Sequence, residues 1–100
     1  MVRKLSPIHP GEILSEEFMK PLGLNAHQLA LALRVPANRI LQIVAGRRAL
    51  SADTALRLAR YFGTTPEFWM NLQAGDDVRL ARQERQKQIE REVRPRESAA

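Results

Sequence analysis

Two amides and two arginines of types that contact nucleic acids lie close together in the segment 36–48. Asn38 and Gln42 are four residues apart, and each amide can form a pair of hydrogen bonds with N6 and N7 of adenine. Arg47 and Arg48 follow a glycine, where guanidinium groups suit the phosphate contacts that position a protein on DNA. These residue types offer recognition of a polyanion, and no bond-breaking step is implied.

The same segment has a complete apolar edge when it is placed on a helix with about 100° per residue. The residues that fall on the inward edge are Ala37, Ile40, Ile43 and Val44. The residues on the opposite edge are Asn38, Gln42 and Ala45, with Arg39 and Leu41 at its margins. This outer edge contains no acid and suits the major groove of DNA, where arginine can bind guanine and small apolar groups can touch a thymine methyl. A solvated polar face is the alternative interpretation.

Positive charge is concentrated in the middle of the chain. The 100-residue sequence has a net charge of +5, and residues 34–60 contain six arginines against a single acid, Asp53. Residues 76–97, by contrast, contain seven basic and six acidic side chains. A concentrated basic region is typical of a surface that faces phosphate, although a solvated basic face without a partner would have the same composition.

The composition argues against several other classes of protein. The absence of cysteine excludes disulfides and thiolate metal sites and suits a cytoplasmic location. No apolar run approaches the roughly 20 residues that span a bilayer, and the N-terminus lacks the apolar core of a secretory signal, so we expect no membrane association. His9, Glu12 and Glu16 could hold a metal, but no second metal motif or nucleophile–base pair accompanies them. We therefore predict neither a metal, nor a cofactor, nor an enzyme.

Helical spacing of apolar residues and helix-start signals predict an all-α protein with five short helices. Each predicted start is marked by a proline or a capping residue: Pro10, Asn25, Pro36, Ser51 and Thr65. Asn25 is followed by Gln28, as in a capping box, and Gly46 is a suitable residue to end the third helix. Gly75-Asp76-Asp77 is predicted as a boundary between a domain at 1–75 and a charged tail at 76–100, helical but partly disordered towards Pro95.

The segment from Asn25 to Gly46 resembles the helix-turn-helix of the lambdoid phage repressor (XRE/Cro) class. Leu29 and the small Ala30 face inward on its first helix, and Ile40 and Ile43 follow after a tight connection. In that class the second helix of the unit enters the major groove. Two positions depart from the pattern: Arg34 replaces the usual turn glycine and would need a left-handed backbone, and Val35 replaces the usual capping Ser or Thr.

A narrower resemblance extends over roughly residues 7–80. The stretches HPGEIL, before the helix-turn-helix, and LSADTALRLARYFGTTPEFWMNLQ, after it, are similar to those of the HigA (VapI-type) antitoxins. The resemblance implies a five-helix, lambda-repressor-like domain that forms a homodimer, binds operator DNA in its own promoter and neutralises a HigB toxin similar to RelE-type mRNA endonucleases. A stand-alone XRE-type regulator is the alternative function, and a protein-interaction module is a third.

The resemblance also assigns roles to individual residues. It places Pro36, Ala37, Asn38 and Gln42 against bases, and Arg39, Arg47 and Arg48 nearer the DNA backbone. It implies dimer contacts after the fourth helix, where the candidates are Tyr61, Phe68, Trp69 and Leu72. Phe68, Trp69 and Leu72 are equally well explained as core residues.

The acidic trio Glu12, Glu16 and Glu17 lies apart from the basic region in the sequence. Because a nuclease toxin must be basic to hold RNA, such a patch could attract it. A solubilising helix face is the simpler interpretation of the trio.

Overall fold

A computed structural model of the chain describes residues 9–97. Within this range the fold consists of five helices and no strands, as predicted. The helices are α1 (Pro10–Ile13, continuing as a π-helical segment Leu14–Met19), α2 (Ala26–Leu33), α3 (Ala37–Val44), α4 (Ala52–Phe62) and α5 (Pro66–Glu92). None of the helices in the described range is both long and apolar enough to cross a membrane. The start of the predicted domain, residues 1–8, and the end of the predicted tail, residues 98–100, lie outside the described residues.

Local capping bonds form where the sequence predicts helix starts. Asn25 and Gln28 make the reciprocal capping box, with Asn25 Oδ1 accepting from the Gln28 amide at 2.8 Å and Gln28 Oε1 from the Asn25 amide at 2.9 Å. Ser51 and Thr65 accept from backbone amides in the first turns of α4 and α5. Each bond satisfies a backbone donor that has no partner within the helix, which fixes where the helix begins.

His9, which the sequence offers as a possible metal ligand, caps the N-terminus of α1. Its Nδ1 accepts a hydrogen bond from the Gly11 amide at 2.9 Å. Glu12 lies exposed in the first turn of the same helix, where a negative charge is favoured by the helix dipole. A structural role therefore accounts for both residues.

The first helix widens after Ile13, which the sequence pattern does not predict. The amide of Lys20 donates to the carbonyl of Ser15, five residues earlier, at 3.0 Å. This wider turn still buries Leu14 and Met19 and packs Phe18 against the core. Two backbone bonds then close the helix: the Leu24 amide donates to Met19, five residues earlier, and the Gly23 amide donates to Lys20, three residues earlier.

One apolar core joins the five helices. Its largest fully buried members are Leu14, Leu29, Ile40, Ile43, Leu50, Leu58 and Trp69. α2 packs on α3, α4 packs on α5, and α1 contacts both α3 and α5. Side chains from every helix therefore contribute to holding α3 in place.

A cluster of aromatic rings closes the side of the core formed by α1, α4 and α5. The ring of Phe18 lies 4.9 Å from that of Trp69 and 5.0 Å from that of Phe62, measured between centroids. Trp69 is completely buried, and its Nε1 donates to Thr64 Oγ1 at 2.8 Å. The buried indole is thus satisfied within one chain.

The predicted break at Gly75-Asp76-Asp77 is wrong, because α5 continues through it to Glu92. Asp76 is buried and accepts from Arg79 at 2.9 Å, while Asp77 accepts from the Gln73 side chain at 2.9 Å. These acids bond to side chains of their own helix rather than capping a new one. Gln73 is also buried, and its Oε1 accepts from the amide of Leu50 at 2.7 Å, which ties the segment before α4 to α5.

Gly11 provides the closest approach between α1 and α3. A Cβ at this position would overlap the carbonyl oxygen of Ile43 and lie 2.7 Å from its carbonyl carbon. Both partners are backbone atoms, so no side-chain rotation can make room. The glycine in the HPGE stretch is therefore required by helix packing.

We expect the substitution Gly11→Ala to destabilise the protein by at least about 2 kcal/mol, since it forces α1 away from α3. Thermal unfolding followed by circular dichroism should show a melting temperature lower by on the order of 10 °C. Gly23→Ala is the matched control, because Gly23 has a positive φ but no atoms near its missing Cβ. That variant should lose only about 1 kcal/mol from backbone strain. A Gly11→Ala variant as stable as wild type would show that the two helices need not pack so closely.

Candidate nucleic-acid interface

The connection between α2 and α3 is held by a backbone motif that normally contains glycine. Arg34 has φ 61° and ψ 45°, the left-handed conformation that the sequence analysis expects from its position in the turn. The amide of Arg34 donates to Leu31 at 3.2 Å and that of Val35 donates to Ala30 at 3.0 Å. This pair of bonds is a Schellman motif, and Arg34 occupies its left-handed position at a cost of about 1–2 kcal/mol.

The N-cap of α3, the residue directly before Ala37, is Pro36 rather than Val35. Pro36 has an extended backbone with ψ 142° and forms no side-chain capping bond, whereas Val35 is half-buried against the core. The predicted capping position is therefore wrong by one residue. The absence of a side-chain cap is as expected, and the proline fixes φ near the value required at this point.

α3 is divided by face as the sequence predicts. Ile40 and Ile43 are fully buried, and Asn38 is exposed on the opposite edge beside the exposed Pro36. Gln42 is half-buried, and its Oε1 accepts from Arg48 Nη1 at 3.4 Å. The amide predicted to contact bases and the arginine predicted to contact phosphate thus lie beside each other.

Among the residues predicted to contact bases, Ala37 is the one whose burial suits that role least. It is half-buried and packs against the core. The helical wheel places it on the inward edge, and the structure agrees with the wheel rather than with the role carried over from the resemblance. Only the part of the residue that remains accessible is available to a partner.

The C-terminal end of α3 presents the two adjacent arginines. Gly46 has φ 76° and ends the helix in a second Schellman motif, with bonds from Gly46 to Ile43 and from Arg47 to Gln42. Arg47 and Arg48 follow at once and are both exposed. Because a bulky side chain rarely adopts positive φ, the glycine allows the chain to turn directly into these arginines.

A network of three charged residues links α3 to α4, and the sequence analysis does not identify it. Asp53 Oδ2 accepts from Arg57 Nε at 2.8 Å and from Arg39 Nη1 at 3.3 Å. Arg57 also donates to the carbonyl of Leu33, at the C-terminus of α2, at 2.9 Å. The hydrogen bond from Arg57 is the main cause that lowers the pKa of the Asp53 carboxyl below its usual value. Arg39, predicted to lie near a DNA backbone, is therefore already paired within the protein.

The predicted dimer-interface residues separate into two groups. Tyr61 and Phe68 are exposed by 45% and 39%, respectively, and Leu72 is half-buried. Trp69 is 0% exposed. The prediction that Trp69 lies at an interface is therefore wrong, because the packing of its own chain already covers the indole on all sides.

Comparison with known proteins defines the class to which this fold belongs. The family model described as "Helix-turn-helix" matches residues 16–69, more than half of the chain. The matched region includes α2, the Arg34 turn and α3. The chain is therefore a helix-turn-helix protein.

Three similar proteins narrow the class. Virulence-associated protein I of Dichelobacter nodosus is 52% identical over 83 residues, which are 83% of this chain and 77% of the relative. A HigA-family addiction module antidote protein from Coxiella burnetii is 52% identical, with a TM-score of 0.87 over 92% of this chain and 100% of the other. Pseudomonas aeruginosa antitoxin HigA, solved with the higBA promoter, is 47% identical, with a TM-score of 0.87 over 89% and 97%. Among helix-turn-helix proteins, the chain belongs to the HigA (VapI-type) family.

Replacing Arg34 by glycine should stabilise the protein. The change removes about 1–2 kcal/mol of left-handed strain and adds about 0.5–1 kcal/mol of backbone entropy in the unfolded chain. We expect a net gain of about 0.5–1 kcal/mol, seen as a melting temperature higher by roughly 4 °C.

Arg34→Ala serves as the matched control, because it removes the same charge and retains the strain. It should give no gain in stability. Equal gains in the two variants would show that the charge at residue 34, and not its backbone conformation, is unfavourable.

Proposed function

We propose that this protein is a sequence-specific DNA-binding antitoxin. It represses its own toxin–antitoxin operon and neutralises a HigB/RelE-like mRNA-cleaving toxin by direct binding. The proposed function places the protein in the cytoplasm, where its operator lies, and requires no catalytic group or cofactor.

The observation that carries the proposal is the division of α3 into a buried edge and an exposed polar edge. The apolar edge is fixed by Ile40 and Ile43, so the exposed edge holds Asn38 outward beside the Gln42–Arg48 pair. Amides on a helix of this kind suit adenine in the major groove, and flanking arginines suit phosphate. The 47% identical HigA of Pseudomonas aeruginosa, solved with the higBA promoter, supports DNA as the partner of this chain.

Within this proposal, base contacts belong to Asn38 and Gln42, with Pro36 and the accessible part of Ala37 beside them. Arg47 and Arg48 contact phosphates, and Arg39 lies close to the backbone. Base contacts determine sequence preference, whereas phosphate contacts contribute affinity to any duplex. The two groups of residues can therefore be separated experimentally.

Asn38→Ala and Gln42→Ala should each reduce the preference for the operator. We expect a loss of about 1–3 kcal/mol in binding a duplex from the region upstream of the protein's own coding sequence, since each removes a bidentate contact. Binding to a shuffled duplex of the same length should be nearly unchanged. Fluorescence anisotropy with both duplexes measures the two affinities.

Arg47→Ala is the control for the phosphate group. It should weaken binding to both duplexes by similar factors and reduce the slope of log affinity against log salt by about 1. If Asn38→Ala and Gln42→Ala bind the upstream duplex as wild type does, the assignment of base contacts is wrong.

The proposed DNA-binding form is a homodimer. Operator half-sites lie about 34 Å apart, one turn of DNA, and a single α3 of eight residues cannot contact both. Tyr61 at the end of α4, and Phe68 and Leu72 at the start of α5, supply partly exposed apolar surface, where we place the dimer contact. The buried Trp69 ring packs against the ring of Phe68, with ring centroids 5.0 Å apart.

Neutralisation of a toxin is the part of the proposal that distinguishes an antitoxin from a stand-alone XRE-type regulator. Glu12, Glu16 and Glu17 are exposed on α1 and its π-helical extension, which suits attraction of a basic nuclease. Lys20 Nζ contacts Glu16 at 2.7 Å, so part of this charge is balanced within the protein. The electrostatic attraction that the trio can exert on a basic toxin is therefore modest.

Co-expression with a candidate HigB-like toxin, sought in the reading frames that adjoin its gene, tests this step. We expect restored growth and a stoichiometric complex on size-exclusion chromatography. Reversing the three glutamates to lysine should weaken the complex, whereas Glu84→Lys, on the exposed part of α5, should leave it unchanged. Absence of rescue and of a complex would favour the stand-alone regulator, and an unaffected complex in the triple variant would exclude the acidic trio as the docking site.

A further inference from the structure

We propose that Asp53 is a specificity-determining positioning residue of the DNA interface. It is the single acid among residues 34–60, and it contacts two of the six arginines in that region. The inference rests on the proposed DNA-binding function and adds a residue to it that does not itself contact DNA.

Asp53 lies at the centre of the contacts between α3 and α4. One carboxylate oxygen of Asp53, at the first turn of α4, accepts hydrogen bonds from Arg57 and from Arg39. Arg57 donates a second hydrogen bond, from Nη1, to the carbonyl of Leu33 at the C-terminus of α2. Asp53 and Arg57 together thus connect α4 to α3 and to α2, the two helices of the helix-turn-helix.

The network adjoins the turn between α2 and α3. The carbonyl of Leu33 immediately precedes Arg34, which is held in a strained conformation, and Pro36 at the N-cap of α3 provides no side-chain cap. The cation of Arg57 lies at the negative end of α2, where it is favoured by the helix dipole. The network therefore strengthens the orientation of α3 at the place where the turn chemistry is weakest.

Asp53 also changes the charge that Arg39 presents to DNA. A free arginine next to DNA increases affinity for every sequence by releasing counterions from the phosphates. Asp53 holds Arg39 in one direction, with an Nη1–Oδ2 distance of 3.3 Å, and partly neutralises it. The affinity for arbitrary DNA is lower as a result. A duplex that fits α3, by contrast, meets an Arg39 side chain that is already oriented.

Asp53→Asn tests the inference, because it removes the charge and keeps the size of the side chain. The low pKa of the Asp53 carboxyl means that the wild-type group is ionised throughout the neutral range, so the substitution changes its charge under all assay conditions. Glu84→Gln is the matched control: it makes the same change in net charge on the exposed part of α5.

Affinities are measured for the upstream duplex and a shuffled duplex between about 50 and 200 mM salt. For Asp53→Asn we expect tighter binding to the shuffled duplex and a salt slope steeper by about 0.9, from one added phosphate contact. The ratio of upstream to shuffled affinity should fall about three- to fivefold, in keeping with the strength of partly exposed ion pairs. Glu84→Gln should leave the ratio unchanged.

A double variant assigns the effect to Arg39. In an Arg39→Gln background, Asp53→Asn should no longer tighten binding to the shuffled duplex. A persistent gain in that background would overturn the role given to Arg39. Thermal unfolding of each variant is followed in parallel, because loss of folded protein lowers both affinities together and leaves their ratio unchanged.

Two outcomes separate this inference from the function on which it rests. If wild-type protein shows no preference for the upstream duplex, the proposed function fails and the inference fails with it. If wild type shows the preference and Asp53→Asn retains the same ratio and salt slope, the inference alone is overturned.

Discussion

Burial of the Ile40–Ile43 edge of α3 is the constraint on which the rest of the structure depends. The edge has to be covered from several sides: α2 and α1 pack against α3, and Leu50 and Leu58 belong to the same buried core. Gly11 allows α1 to reach the backbone of α3. Once that edge is enclosed, the rotation of α3 about its axis is set, and the polar edge faces outward as a geometric consequence.

Local chemistry is what the sequence makes predictable. Asn25, Ser51 and Thr65 each bond to the amide three residues further along, so their roles follow from the order of residues alone. The apolar edge of α3 follows equally from helical periodicity. The left-handed Arg34 is a case in between, because its expected conformation comes from its place in a recognised motif.

The features that sequence reasoning missed depend on contacts distant along the chain or on competing local preferences. Asp53 and Arg39 are fourteen residues apart, and no periodicity connects them. For Trp69 the sequence leaves core and interface open, because its burial is decided by distant residues such as Phe18, whose ring lies 4.9 Å from the indole. At Gly75 the usual helix-breaking signals are present, but the bonds of Asp76 and Asp77 to side chains within α5 outweigh them.

The hydrogen bond from the Leu50 amide to Gln73 has a consequence for the segment that carries Arg47 and Arg48. This short segment is fixed at one end by the Gly46 turn and at the other by a buried side chain of α5. Little backbone freedom is left for a bound phosphate to remove, so the entropic cost of ordering the segment is met during folding rather than during association. The two arginines are thus preorganised in part by α5, a helix that lies outside the helix-turn-helix.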